Sequence, residues 1–373
     1  MSFVHLRLHT EYSVVDGTLR IDDAVSAAKD DGQLALGIAV LGNLFGAVKH
    51  YKACRGKGLK PVVGCDAWIE PMDCAPDAPP GRLLLLVQDV TGYHNLSELL
   101  ARAWTRNVQR NQALLRWDWL QELGEGLIVL SGAEFGPVGQ ALLAGDAGRA
   151  RQAAQALSDL FPGRFYIELQ RGGLPHHEAL VRASVPLAAE LQLPVVATHP
   201  VQFQTPEDFE AHEARVCVAE GETLANPRRV KRFCPDQYFK SQAEMAALFA
   251  DIPSALANSV RIAARCNLTL VLGKNFLPDF PTPELPDGSR MPIDDFLRQE
   301  SYEGLEQRLA LLFPDPAERE AQRPRYVERL EFELGTILKM GFPGYFLIVS
   351  DLDRKSTRLN SSHIPLSRMP SSA

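Results

Sequence analysis

The stretch Phe3-Val4-His5-Leu6-Arg7-Leu8-His9-Thr10-Glu11-Tyr12-Ser13-Val14-Val15-Asp16-Gly17 opens with an apolar run of strand length, Phe3 to Leu8. It is the first of seven such runs in the first two hundred residues. The others are Leu36 to Val40, Pro61 to Ile69, Arg82 to Val87, Leu127 to Leu130, Phe165 to Leu169 and Pro194 to Thr198. Between most of them lie segments with helical spacing and start signals, such as Asp22 before Ala24 to Ala28 and Thr205-Pro206 before Glu207 to Ala219. Alternating strands and helices predict a parallel sheet. Continuous apolar strands such as Leu83-Leu84-Leu85-Leu86-Val87 fit burial on both faces. The fold expected is α/β, a distorted seven-unit (β/α) TIM-like barrel of seven parallel strands, with an active site at the C-terminal strand ends.

After the seventh run the pattern turns helical, through Ala243 to Phe249 and Ile252 to Cys266. The proline-rich stretch from Leu277 to Pro286 is too constrained for a helix and marks a domain boundary. Two long helices follow, Ile293 to Phe313 and Pro316 to Met340, with Leu330, Leu334, Ile337 and Leu338 on one face. This divides the chain into a domain over 1–270, a linker over 271–291, a helical region over 292–353 and a tail over 354–373. The tail holds six serines, two prolines and few large apolar residues, a composition that predicts disorder and reads as sequence foreign to the rest.

Charge and cysteine usage exclude several classes. The formal net charge is −7, and the tail carries four basic residues and no acidic ones, so the body before it is more acidic still. That is not the balance of a general nucleic-acid coat. The basic clusters Arg228-Arg229-Val230-Lys231-Arg232 and Arg102-Ala103-Trp104-Thr105-Arg106 read as solvated faces. Six cysteines without a CxxC pair give neither a zinc ribbon nor a disulfide framework. No apolar run reaches membrane-spanning length, and the reading is cytoplasmic with no membrane contact. Phosphate-loop, GxGxxG and GxSxG motifs are absent, and Arg55-Gly56-Lys57-Gly58 is a turn.

The opening stretch resembles the first motif of the PHP (polymerase and histidinol phosphatase) superfamily. Near the other end, Phe342-Pro343-Gly344-Tyr345-Phe346-Leu347-Ile348-Val349-Ser350-Asp351-Leu352 resembles the start of a bacterial replicative polymerase palm. Between them, in shared order, stand Gly42-Asn43-Leu44-Phe45-Gly46, Thr91-Gly92-Tyr93-His94-Asn95-Leu96, Glu125-Gly126-Leu127-Ile128-Val129-Leu130-Ser131-Gly132 and Phe249-Ala250-Asp251-Ile252-Pro253. Met1 to Leu352 thus resembles the family of DNA polymerase III alpha subunits, and the chain reads as a truncated member, a PHP domain plus the beginning of the palm.

The resemblance implies DNA-directed DNA synthesis by the full-length parent, a nucleotidyl transfer using Mg2+ held by palm carboxylates. It also implies primer-template DNA as substrate, with the proofreading exonuclease subunit and other replicase subunits as partners. Those palm carboxylates have no counterpart in residues 1–353, so no catalytic residue and no cofactor-binding residue is expected here, and the chain alone is expected to be inactive and to bind no cofactor. PHP phosphoesterases carry metal ligands after successive strands, His-x-His first. Here Arg7-Leu8-His9 puts an arginine at the first ligand position, Val40-Leu41 replace an Asp-His pair, Arg171-Gly172 replace another, and Gln202 replaces a later histidine. Of the metal set only His9, Asp16 and Asp66 remain, and Arg7 is expected to pair with Asp66 or Asp16. His199, His176-His177 and His212-Glu213 lack ligand spacing and read as structural. The alternatives are a free-standing PHP-family metal-dependent phosphoesterase and a non-catalytic protein-binding scaffold.

Overall fold

The computed structural model describes residues 2–72, 79–274 and 278–360, with the side chains of 357–360 excepted. Cys74 and Leu277 lie outside the described residues. Eight strands are formed: β1 (Ala35–Leu41), β2 (Lys60–Ile69), β3 (Gly81–Val87), β4 (Val108–Gln109), β5 (Gln112–Leu115), β6 (Leu127–Leu130), β7 (Phe165–Gln170) and β8 (Val195–Thr198). The path around the barrel runs β1, β2, β3, β6, β7, β8. The amino-terminal run is not a regular strand, but it closes the ring. Gly37 N–H donates to His5 O at 2.7 Å and Ala39 N–H to Leu8 O at 3.0 Å, while on the other side His9 N–H donates to Val201 O at 3.0 Å.

The expectation of seven parallel strands fails at β3. It runs antiparallel to both β2 and β6, with Trp68 opposite Arg82 and Leu84 opposite Leu130. The cause is in the connection. A parallel return needs a crossover, usually a helix, whereas the link from Glu70 to Pro80 is short and carries Pro71, Pro79 and Pro80. Reversal brings the first residues of β3 to the end of the barrel where the parallel strands finish. A second difference is the short β4–β5 hairpin, whose β5 lies parallel to β2 at the sheet edge.

Burial on both faces of β3 has a simple physical form. Leu84 and Leu86 join Val4, Leu6, Val62, Ile128 and Val196 in one apolar cluster. Leu83, Leu85 and Val87 join Leu96, Leu99 and Leu157 in another, the layer beneath the surrounding helices. Helix starts follow ordinary capping chemistry. Asp89 accepts from Gly92 N–H ahead of Val90–Arg106, and a Ser241–Glu244 capping box opens Gln242–Leu248. A Thr205–Asp208 box precedes Phe209–Glu220, which ends at Gly221 in the left-handed region.

The chain clusters into two compact units, Met1–Leu270 and a second from Val271 onward. The second unit is helical, with Ile293–Leu312, Pro316–Lys339 and Pro343–Asn360. Leu297, Leu334 and Leu347 bury together there, flanked by Phe280, Phe296, Leu330 and Ile337. Disorder was the expectation from residue 354, yet helix Pro343–Asn360 continues through that point. Arg354 pairs with Glu300 at 2.8 Å and Lys355 with Asp351 at 2.6 Å, the second an i,i+4 contact along the helix. Residues 361–373 lie outside the described residues.

Barrel closure uses buried neutral histidines. His5 Nε2 donates to Lys240 O at 2.7 Å and His50 Nε2 to Leu36 O at 3.0 Å, and burial lowers both rings to a pKa of about 4. The unfolded chain takes up these protons below pH 6.5 and the folded chain does not. Stability contributed by both groups is therefore present above pH 6.5 and lost as pH falls toward 4, on the order of 3 kcal/mol for each. Urea unfolding midpoints should drop steeply between pH 6.5 and 4.5, and His50→Gln should flatten that dependence.

Candidate functional site

At the end of the barrel where the parallel strands finish, Arg7 from the closing segment meets Asp66 of β2 and Glu168 of β7. Its Nη1 donates to Asp66 Oδ2 at 2.6 Å, and its Nε and Nη2 donate to the two oxygens of Glu168 at 2.8 and 3.0 Å. The fork matches the carboxylate geometry. The Arg7 side chain is 4 % exposed and both carboxylates are fully buried. Glu168 also accepts from Gly132 N–H at 3.1 Å, Gln170 Nε2 at 3.1 Å and Thr198 Oγ1.

His9 bridges the other two acids. Its Nδ1 donates to Asp16 Oδ1 at 2.9 Å and its Nε2 lies 3.3 Å from Asp66 Oδ2. Burial works against the imidazolium, but Asp16 and Asp66 outweigh it and raise His9 to about 9. Burial would likewise raise Asp66, but Arg7, His9 and Arg82 overcome it and hold this carboxyl far below the usual range. Asp16 is lowered against burial by His9. Arg82, at the start of β3, completes the cluster with Nη1 3.7 Å from Asp66 Oδ2, its guanidinium between the rings of Trp68 and Phe135 at 4.0 and 4.6 Å from their centroids. Three carboxylates thus face three cations.

The structure brings Arg7, His9, Asp16 and Asp66 together. Glu168 and Arg82 are the members that sequence reasoning left unassigned. Arg82 was hidden because an assumed parallel β3 points its first residues to the wrong end. Of the other replaced positions, Leu41 N–H donates to Ser13 Oγ at 2.9 Å, and Gln202 Nε2 lies 3.5 Å from His9 Nδ1. His199 and His212 spend their Nε2 on backbone carbonyls, of Asp236 at 3.0 Å and Asp16 at 2.9 Å. Glu213 pairs with Arg229 away from the acids of the mouth.

A second grouping, Glu134 with His176 and His177, has donor atoms within 4.8 Å of one another. Its hydrogen bonds assign the tautomer. Gly172 N–H donates to His177 Nδ1 at 2.9 Å, so Nε2 carries the proton and donates to Glu134 Oε2 at 2.8 Å. A histidine ligates through a bare nitrogen, and His177 has none to offer in this arrangement.

A divalent ion does not fit the main cluster either. The positions around Asp66 Oδ2 are held by a guanidinium, a permanent cation, and His9 is protonated at neutral pH.

The PHP domain family matches residues 5–172, and the family described as bacterial DNA polymerase III alpha NTPase domain matches residues 295–364. This chain is homologous to bacterial DNA polymerase III alpha subunits. It is 47% identical over 352 residues to the DNA polymerase III subunit alpha of Pseudomonas aeruginosa, covering 94% of this chain and 29% of that protein. The subunit of Neisseria meningitidis serogroup B is 51% identical over 355 residues, with coverages of 94% and 30%. That of Escherichia coli K12 is 46% identical over 349 residues, with coverages of 94% and 29%. The chain spans under a third of the length of these polymerase subunits. Among its described residues, no single helix is long and apolar enough to cross a membrane.

Removing one partner from a buried ion pair strands the other. Arg7→Ala should cost about 3–5 kcal/mol in denaturant unfolding. Arg102→Ala, which breaks the solvent-screened surface pairs with Glu98 and Glu122, should cost far less. Equal losses would place no special weight on the mouth cluster.

Proposed function

We propose that this chain is the amino-terminal part of a cytoplasmic replicative DNA polymerase alpha subunit, with 1–270 as a non-catalytic PHP domain, 271–291 as a linker and 292–353 as the beginning of the palm. DNA-templated synthesis on primer-template DNA belongs to the longer parent, where palm carboxylates hold Mg2+. The PHP domain supports that polymerase and contacts the proofreading exonuclease subunit and other replicase subunits. The carrying observation is Arg7 forked between Asp66 and Glu168, which fills with a fixed cation the place a phosphoesterase of this superfamily needs for its ions.

One further observation supports the reading. An apolar groove of about 670 Å³, lined by Val14, Val15, Leu41, Phe45, Leu100 and Trp104, lies beside the mouth, and Phe45 is 72% exposed. Exposed apolar surface of this extent suits protein contact. The reading of a free-standing phosphoesterase requires Arg7 to leave both of its buried partners.

The test is an assay of the purified chain on phosphomonoesters with added manganese or zinc, and on primed DNA with deoxynucleotides and magnesium. Neither turnover nor nucleotide incorporation is expected. Phosphomonoester hydrolysis abolished by Asp66→Asn, or primer extension by the chain alone, would overturn the proposal.

A further inference from the structure

The apolar groove beside the mouth is lined by Val14 and Val15, by the 41–45 segment, and by Leu100, Ala101 and Trp104 of helix Val90–Arg106. Hydrogen bonds fix these parts to one another. Leu41 N–H is held by Ser13 Oγ, Asn43 Nδ2 donates to Tyr12 O at 3.2 Å, and Trp104 Nε1 donates to Gly42 O at 2.8 Å. Apolar surface held this way cannot turn inward, and Val14 is 59% exposed and Trp104 50%. The polar groups of the lining are already paired. Gly42 N–H donates to Asp66 O at 2.8 Å, Asn43 Oδ1 accepts from Phe45 N–H at 3.0 Å, and Ser97 Oγ donates to Tyr93 O at 2.8 Å. Among the described residues no charged side chain lines the groove. Lys49, over the Tyr12 ring, is matched by Glu11 and Asp22, and Arg102, next to Ala101, by Glu98 and Glu122.

We propose that this groove is a self-association surface, through which two copies of the chain pair about a two-fold axis, each seating Phe45 in the groove of the other. A two-fold contact sets each residue near its own counterpart, so a patch carrying one sign of charge repels itself. This lining carries none, although the chain as a whole has a net charge of −7. An occupant with charges or open backbone groups would find nothing in the lining to pair with and would leave them buried and unpaired. A second copy presents a face whose polar groups are already paired. It also supplies both shapes the contact needs, since Phe45 stands exposed beside a hollow of about 670 Å³. An aromatic anchor seated in an apolar hollow is the usual centre of a protein interface. The inference goes beyond the scaffold reading and does not depend on it.

The experiment is sedimentation equilibrium of the purified full chain at about 100 μM, where a dissociation constant in the micromolar range gives mostly dimer. The parent should sediment as a dimer that dissociates on dilution. Phe45→Glu, which would bury a carboxylate in the apolar groove, should sediment as a monomer with the parent's melting temperature. Should Phe45→Glu melt lower, Ala101→Arg on the helix wall decides, and the same loss of dimer is expected. Phe346→Glu, which alters an exposed aromatic of the second unit, should stay as dimeric as the parent. A parent that is monomeric at this concentration would overturn the inference, as would a dimer that survives both groove substitutions. Loss of the dimer in Phe346→Glu, or growth beyond a dimer, would also overturn it, by placing the contact elsewhere or removing the two-fold. A monomeric parent that binds the proofreading subunit, and loses it with Phe45→Glu, overturns this inference while leaving the scaffold reading standing.

Discussion

Three carboxylates buried at one end of a barrel need positive charge beside them, because an isolated ion in a low-dielectric interior is too costly to retain. In this chain the requirement is met by side chains. Arg7 supplies a planar fork that satisfies Glu168 with two hydrogen bonds and Asp66 with a third. His9 holds Asp16 against Asp66, and Arg82 stands by on an aromatic floor. Asp16 stands in a turn, but the segments carrying Arg7, His9, Asp66, Arg82 and Glu168 are also part of the barrel wall, so charge pairing and barrel closure constrain one another. The closing segment is held by only a few backbone hydrogen bonds, and Arg7 ties it to β2 and β7 from within.

The reversed strand is part of the same solution. A short, proline-bearing link after β2 leaves an antiparallel return as the available path, and that return carries Arg82 to the mouth opposite Trp68. Had β3 run parallel, Arg82 would start at the far end and Asp66 would lose one of the three cations around it. The same reversal places Leu84 and Leu86 in one apolar cluster and Leu83, Leu85 and Val87 in the other.

Much of this was legible beforehand. The apolar runs locate the six strands that form the ring together with the closing segment, because strands buried on both faces leave no other pattern. The substitutions at Arg7, Val40-Leu41 and Gln202 pointed to a site without its usual ligands. What escaped did so for identifiable reasons. Strand direction is set by the connection, and the run Arg82 to Val87 reads the same either way. Glu168 looked like part of a strand since nothing local distinguishes an inward acid from an outward one before the sheet is assembled. The short β4–β5 hairpin carries too few residues for a periodic signal. Helix Pro343–Asn360 passes into polar sequence because an already nucleated helix extends at little cost, even through serine and threonine.

The account turns on whether Arg7 and Asp66 act as one unit, and a double-mutant cycle measures that directly. Arg7→Met and Asp66→Leu, singly and together, are compared by denaturant unfolding at neutral pH. If each exists to neutralise the other, the double variant should be less destabilised than the sum of the singles by about 2 kcal/mol or more. Additivity within about 0.5 kcal/mol would show that the two charges do not depend on each other, and the charge-balanced mouth would lose its physical basis.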